Sequence, residues 1–219
     1  MDKNKVHIFD DFLSLEEQNE IEKQIIINTG FKWKASYSKL FKPPPKEELG
    51  DSRPLALDAP KDGKIKIKDN LFWNQTRPGL MVGEYFEHGL GWVYGYGDGF
   101  ITSPLRKLGL NYEIQRIKVN FNPKEIAEHK GSCYVPHVDI EDGGGWTGIY
   151  YVSDSDGDTV IFNEETNNPI RNNEEISVKE VINNKRGRLV LFNQNSLHAG
   201  CPPIESDYRI VINYNIKLI

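Results

Sequence analysis

Cysteine is nearly absent. Only Cys133 and Cys201 occur in 219 residues, too few for a multi-bridge framework or a four-thiolate zinc site, and a reducing compartment is expected. No uninterrupted apolar run approaches the roughly 20 residues of a membrane-spanning helix. Met1-Asp2-Lys3-Asn4-Lys5 leads into no apolar signal segment. Positive charge is also short, with 27 Lys+Arg against 32 Asp+Glu and a net charge of −5. Sequence-independent nucleic-acid binding, which needs clustered cations to displace counterions, is therefore not expected. These absences predict a protein without membrane contact, located in the cytoplasm. Apolar residues at 38% suffice for one sizeable core, so residues 1–219 are read as a single domain.

Ser14-Leu15-Glu16-Glu17 has the form of a capping box and predicts a helix from about Leu15 to Asn28. Gly30 is its stop, and Leu15, Ile21, Ile25 and Ile26 form its buried face. From Lys32 to Leu110 the pattern is irregular, with Pro43-Pro44-Pro45 and the aromatic-glycine stretch Gly91 to Phe100. Short helices are expected around Leu80 to His88 and over Pro104 to Leu108, the second capped by Ser103. Gly95-x-Gly97-x-Gly99 lacks the flanking strand, helix and Lys-Ser/Thr of a phosphate loop and reads as an ordinary loop. Lys61 to Lys68 reads as a solvated turn and edge strand.

After Leu110 short β-rich runs alternate with turn signals. They are Glu113 to Phe121, Tyr134 to Asp139, Trp146 to Val152, Thr159 to Asn163, Gly187 to Asn193 and Tyr208 to Leu218. The expected fold is mainly β with flanking helices: a jelly-roll core over 113–219, with the N-terminal helix packed on one sheet. Residues 1–112 then supply that helix and the loops on the substrate side.

The chemistry centres on three residues. His137-Val138-Asp139 on a strand sends an imidazole and a carboxylate from the same face. His198, after the apolar strand Leu189-Val190-Leu191-Phe192, supplies a second imidazole. Two His and one carboxylate make the facial set that leaves octahedral positions open for substrate or oxygen on non-haem Fe(II), although zinc accepts the same ligands. In Tyr208 to Ile216 the alternation places Ile210, Ile212, Tyr214 and Ile216 on one face and Arg209, Val211, Asn213 and Asn215 on the other. If the isoleucines pack outward against helices, Arg209 points into the barrel, paired either with an internal carboxylate or with a bound dicarboxylate. Tyr151 shares a face with Thr147 and Ile149, which places its phenol beside Arg209 or in the core. His7 and His88 read as packing residues, His129 as part of a polar loop, and Cys133 as a small buried residue.

In this order the residues resemble the Fe(II)- and 2-oxoglutarate-dependent oxygenases with a double-stranded β-helix core, and among them the prolyl hydroxylases. Tyr134 to Asp139 resembles their first metal-binding strand and Thr147 to Val152 the strand that follows. Asp156 to Phe162 is similar to their Gly-Gly-x-x-x-x-Phe segment, and Gly187 to Phe192, His198 and Arg209 to their closing strands. Val6 to Ser14 resembles the strand leading into their first helix. The resemblance implies Fe(II) bound by His137, Asp139 and His198, and 2-oxoglutarate held by Arg209 and Tyr151. It implies O2 as the oxidant, and decarboxylation to succinate and CO2 coupled to oxidation of a substrate C–H bond. Where prolyl hydroxylases often place a cosubstrate-binding Tyr, this chain has Asn120-Phe121-Asn122-Pro123, so Asn120 or Asn122 is expected in that role. The interval from His198 to Arg209 is slightly long, and Cys201 to Ser206 is expected to absorb it as a bulged turn.

The resemblance favours a hydroxylase acting on a peptidyl proline, with a protein or peptide as partner and Tyr134, Trp92 and Tyr96 as candidate substrate contacts. Two other readings remain. One is a nucleobase demethylase of the same superfamily, disfavoured by a single arginine on the closing strand and by the acidic charge. The other is a jelly-roll binding module whose metal site is structural or vestigial, disfavoured by the intact set of four residues.

Overall fold

The computed structural model describes residues 1–27, 34–35, 64–66, 81–87, 102–124, 133–134, 136–140, 144–165 and 175–219. Two antiparallel sheets face each other. The larger contains, in spatial order, β1 (His7–Phe9), β9 (Leu189–Asn193), β6 (Trp146–Tyr151), β11 (Tyr208–Leu218), β5 (Tyr112–Pro123), β4 (Met81–Glu87) and β2 (Lys34–Ala35). The smaller contains β10 (Ser196–Gly200), β7 (Thr159–Glu165), β8 (Glu175–Ile182) and β3 (Lys64–Lys66). This is the jelly roll expected from the spacing of the short runs, in the double-stranded β-helix form that the resemblance implies.

The strict alternation of β11 splits two apolar clusters. Ile210, Ile212, Tyr214 and Ile216 lie on the outer face, packed with Leu13, Ile21 and Ile25 of the N-terminal segment and with Ile117 and Val119 of β5. Val211 faces inward with Ile149, Tyr151, Ile161 and Phe192. Every side chain from Arg209 to Ile216 is therefore buried on one side or the other. The even-numbered β5 residues Arg116, Lys118, Asn120 and Asn122 consequently face the interior, since Ile117 and Val119 take the outer core.

Several local expectations need correction. The helix α1 (Leu15–Glu22) begins with the predicted capping box at Ser14, but passes into a π-helical turn over Lys23–Ile27. Ile21 and Ile25 are buried, whereas Leu15 is 66% and Ile26 40% exposed. The wider turn shifts the face only from Lys23 onward; in the first turn Gln18, whose amide donates to the Leu13 carbonyl, takes the inner position instead of Leu15. The chain around 80–88 is strand β4 rather than helix, because its backbone pairs with β5 from Met81 to Glu87. Helix α2 (Ser103–Lys107) is capped one residue early, at Thr102, without a side-chain cap bond. The 133–139 segment is not a regular strand; its one bridge joins His137 to His198. Strand β8 was not expected, while the Lys64–Lys66 edge strand was. Gly30, His88, Trp92, Tyr96 and His129 lie outside the described residues.

Candidate active site

His198 sits on β10 and His137 on the segment antiparallel to it, with two backbone bonds of 3.0 Å exchanged between them. Their rings are 4.8 Å apart. Asp139 lies where the chain bends, so the convergence comes from the bend and not from strand periodicity. The Nε2 atoms of His137 and His198 are 3.8 and 3.7 Å from the two Asp139 carboxylate oxygens. The ligand atoms of all three residues fall within 4.8 Å of one another.

The donor set fits a metal ion. The Nδ1 atom of His198 lies 3.2 Å from the Ser196 carbonyl, which only accepts, so Nδ1 carries the proton and Nε2 presents its lone pair to the site. That Nε2 is buried without any hydrogen-bond partner. Burial pushes the His198 pKa down to about 4, against the opposing pull of Asp139, so the imidazole is neutral at pH 7 and ready to ligate. Burial would raise the Asp139 pKa, but His198, Arg116, His137 and Lys118 together hold it well below the usual carboxylate range. The amide of Asn215 donates to Asp139 at 3.3 Å and to Thr147 at 3.2 Å. Arg116 donates to the Asp139 backbone carbonyl at 3.0 Å. These partners orient the carboxylate as outer groups do in metal sites.

At the other end of the interior lies Arg209, 3% exposed. Its Nε donates to the Gly157 carbonyl at 2.8 Å, Nη1 to Asn122 at 3.2 Å and Nη2 to Thr159 at 2.8 Å. All three acceptors are uncharged, and among the described residues no carboxylate forms an ion pair with Arg209. Of the two partners expected for it, an internal Asp or Glu is thus not found there. These three bonds use three of the five donors of its fork. The Tyr151 ring lies beneath the guanidinium at 5.6 Å, and its hydroxyl donates to Thr159 at 2.7 Å. Tyr151 therefore buttresses Arg209 through its ring and through Thr159, which orders both side chains. Asn120 and Asn122 share the inward face. Asn122 is engaged by Arg209, while the Asn120 side-chain oxygen is buried without a donor. Tyr134 is half-buried, its backbone amide bonded to the Gly200 carbonyl at 2.8 Å.

The long interval before Arg209 is held as a turn by Asp156. Its carboxylate accepts the backbone amides of Ile204, Glu205 and Ser206 at 2.8 to 2.9 Å. Burial would raise its pKa, yet these amides hold it well below the usual range. Cys133 and Cys201 form a disulfide, a pairing that the reading of Cys133 as a small buried residue did not include. The bond ties the segment leading to His137 to the turn that follows His198. Sequence reasoning missed Thr159, Arg116, Lys118 and Asp156; for the first three, strand parity alone would have marked the inward face.

Fold and site define a non-haem metal oxygenase built on a double-stranded β-helix. Residues 124–217 match the 2OG-Fe(II) oxygenase superfamily, a stretch that contains His137, Asp139, Tyr151, His198 and Arg209. The protein is thus a dioxygenase, an oxidoreductase whose cofactors are iron, 2-oxoglutarate and O2. Among solved structures it resembles the non-haem α-ketoglutarate-dependent epimerase SnoN from nogalamycin biosynthesis, with a TM-score of 0.52 and 9% identity over 98% of this chain and 79% of that one. It also resembles a Trichoplax adhaerens prolyl hydroxylase in complex with a hypoxia-inducible-factor peptide, with a TM-score of 0.47 and 16% identity over 97% and 84%. A search of curated protein sequences gives no match. None of the helices among the described residues is long and apolar enough to cross a membrane.

Proposed function

We propose that the protein is a C–H hydroxylase in which His137, Asp139 and His198 hold the iron, and Arg209, supported by Tyr151, Thr159 and Asn122, holds the distal carboxylate of 2-oxoglutarate. The observation that carries this reading is the pairing of a lone-pair-bearing, unpartnered His198 Nε2 at one end of the interior with a carboxylate-free buried arginine at the other. When bound, iron with its cosubstrate supplies the oxidising power, through decarboxylation to succinate and CO2. The chain's own contribution is placement. His198 is kept in one tautomer by Ser196, Asp139 is kept ionised by its cationic neighbours, and Arg209 fixes the direction from which a dicarboxylate enters. The apolar walls Ile149, Val211, Ile161 and Phe192 exclude water between the two ends. One functional unit over 1–219 accords with this arrangement, since α1 covers the outside of the sheet whose inside forms the site.

The substrate class favoured by the motif resemblance is a peptidyl proline, bound on the side where His137 is open to solvent, with Tyr134, Trp92 and Tyr96 as its candidate contacts. A cytoplasmic site of action completes the reading, and alkylation of thiols in intact cells tests it against the Cys133–Cys201 bond. The central experiment is anaerobic Fe(II) titration with and without 2-oxoglutarate, following the metal-to-ligand charge-transfer band. The band is expected in the wild type, absent in His137→Ala, and shifted to higher 2-oxoglutarate concentration in Arg209→Ala. Folded protein without a band would point to the binding-module reading. Succinate release stimulated by proline peptides, and not by methylated nucleobases, then separates the two enzymatic readings.

A further inference from the structure

The interior row of β5 contains one cation that the site so far leaves unused. Arg116, at one end, is bonded to the Asp139 segment, and Asn122, at the other, is bonded to Arg209. Lys118 lies between them, opposite Asn213 of β11, which in turn is opposite Ile149 of β6. Its ammonium is largely withdrawn from water and lies in the field of Arg116 and Asp139. Among the described residues no hydrogen bond or ion pair holds it. Beside it in the sheet, Asn120 and Asn213 each carry a buried side-chain oxygen with no donor. A half-turn of either amide exchanges oxygen for NH2. The centre of the interior is therefore a half-buried cation flanked by two amides whose side-chain oxygens have no donor within the described protein. Buried polar groups are normally paired, so this triplet has the form of a binding surface for an anion.

We propose that Lys118 is a second cosubstrate anchor, which takes the 2-oxo acid end of 2-oxoglutarate beside the metal ligands while Arg209 takes the distal carboxylate. The inference rests on the reading of the site as one that binds 2-oxoglutarate. Geometry favours it in two ways. The two cations belong to opposite ends of one polar floor, as the two carboxylates belong to opposite ends of the ligand. On β5, Lys118 lies two residues from Arg116, which bonds the Asp139 segment, and four from Asn122, which bonds Arg209, so it serves the metal end. Burial, with Arg116, lowers its pKa to about 8, and an anion seated beside it would stabilise the ammonium.

The test compares two ligands under anaerobic conditions with Fe(II): 2-oxoglutarate and 2-oxopentanoate, which has the same 2-oxo acid end and no distal carboxylate. Binding is measured by calorimetry, and by competition against 2-oxoglutarate where direct binding is weak. Lys118→Met is expected to weaken both ligands, on the order of tenfold, the size of a lost charge-assisted hydrogen bond. Lys118→Arg should restore most of the affinity for both. Arg209→Met is expected to weaken 2-oxoglutarate alone. The proposal is overturned if Lys118→Met leaves both affinities unchanged, if it weakens 2-oxoglutarate only, or if 2-oxopentanoate fails to compete at any accessible concentration. In each of these cases an intact Arg209 effect leaves the cosubstrate reading standing. Wild type that binds neither ligand would sink both.

Discussion

Gly157 has no side chain because Arg209 occupies the space. A Cβ placed there would meet Arg209 Cδ at 2.8 Å and the Cys201 carbonyl oxygen at 2.6 Å, and the backbone oxygen cannot yield cheaply. Gly157→Ala is therefore expected to displace the guanidinium and weaken 2-oxoglutarate binding about tenfold, while Fe(II) binding alone is unchanged; the same charge-transfer titration reads both. In the sequence, Asp156-Gly157 read as a turn signal at the head of the segment similar to the family's Gly-Gly-x-x-x-x-Phe. Its second role could not be read there, because the arginine it accommodates is distant in the chain and the contact exists only in the closed barrel. The sign of Arg209 itself was legible, since strict alternation on β11 left it no face but the inner one. His198 carries a further consequence. Its folded pKa of about 4 lies below the ordinary 6.5, so between these values the unfolded chain binds more protons than the metal-free folded one. Stability is then lost as pH falls through that window, and fully so below about 4, with Asp139 adding its own loss below the usual carboxylate value. Urea unfolding of metal-free protein is expected to show about 2 kcal/mol less stability at pH 5 than at pH 7 from this group. His198→Gln should flatten that part of the profile.

At the scale of elements, what the sequence showed and what it hid divide by periodicity. Strands β5, β6, β7, β9 and β11 were visible because each alternates or runs apolar against turn residues. Strand β8 was not, because a bulge between its pairings with Ile161 and Phe162 breaks the phase: Ile176 and Val178 face one cluster, while Val181 is turned outward at 43% exposure. Strand β4 was misread as helix because its pairing with β5, a tertiary contact, overrides local preference. The His-x-Asp segment was placed correctly for an incomplete reason. Its geometry depends on one bridge to β10 and on the Cys133–Cys201 bond, which closes a span of 68 residues. Closing a loop of that length restricts the unfolded chain by about 4 kcal/mol in the entropy model, with about 2–4 typical in practice. Cys201→Ser is expected to lower stability by that amount. Reductant should destabilise the wild type to the level of the variant and leave the variant unmoved, as read by urea melts with and without dithiothreitol.

For the whole molecule, the division of labour between faces explains how a polar interior is tolerated. The outer face of the large sheet carries the main apolar cluster, closed by Leu13, Ile21 and Ile25, so much of the barrel's apolar burial lies away from the polar part of its inside, where a smaller cluster around Ile149, Val211, Ile161 and Phe192 adds to it. The inside holds Arg209, Lys118, Asp139 and several amides with unsatisfied oxygens, groups that cost free energy in the ligand-free protein. Ile25→Ala, in the outer cluster, should therefore destabilise the fold by about 2–4 kcal/mol without changing ligand affinity. Ligands act in the opposite sense, because they bind the folded state alone and satisfy the interior. Each ligand at about 100 times its dissociation constant adds about 2.7 kcal/mol, which for a chain of this size is a rise in Tm of roughly 5–10 °C. Metal and 2-oxoglutarate are expected to give separate increments in anaerobic thermal melts. The increment from 2-oxoglutarate should vanish in Arg209→Ala while that from Fe(II) survives, and both should vanish in His137→Ala, because the cosubstrate needs the metal and the metal does not need the cosubstrate. Equal loss of both increments in Arg209→Ala would mean that the arginine supports the barrel rather than the ligand.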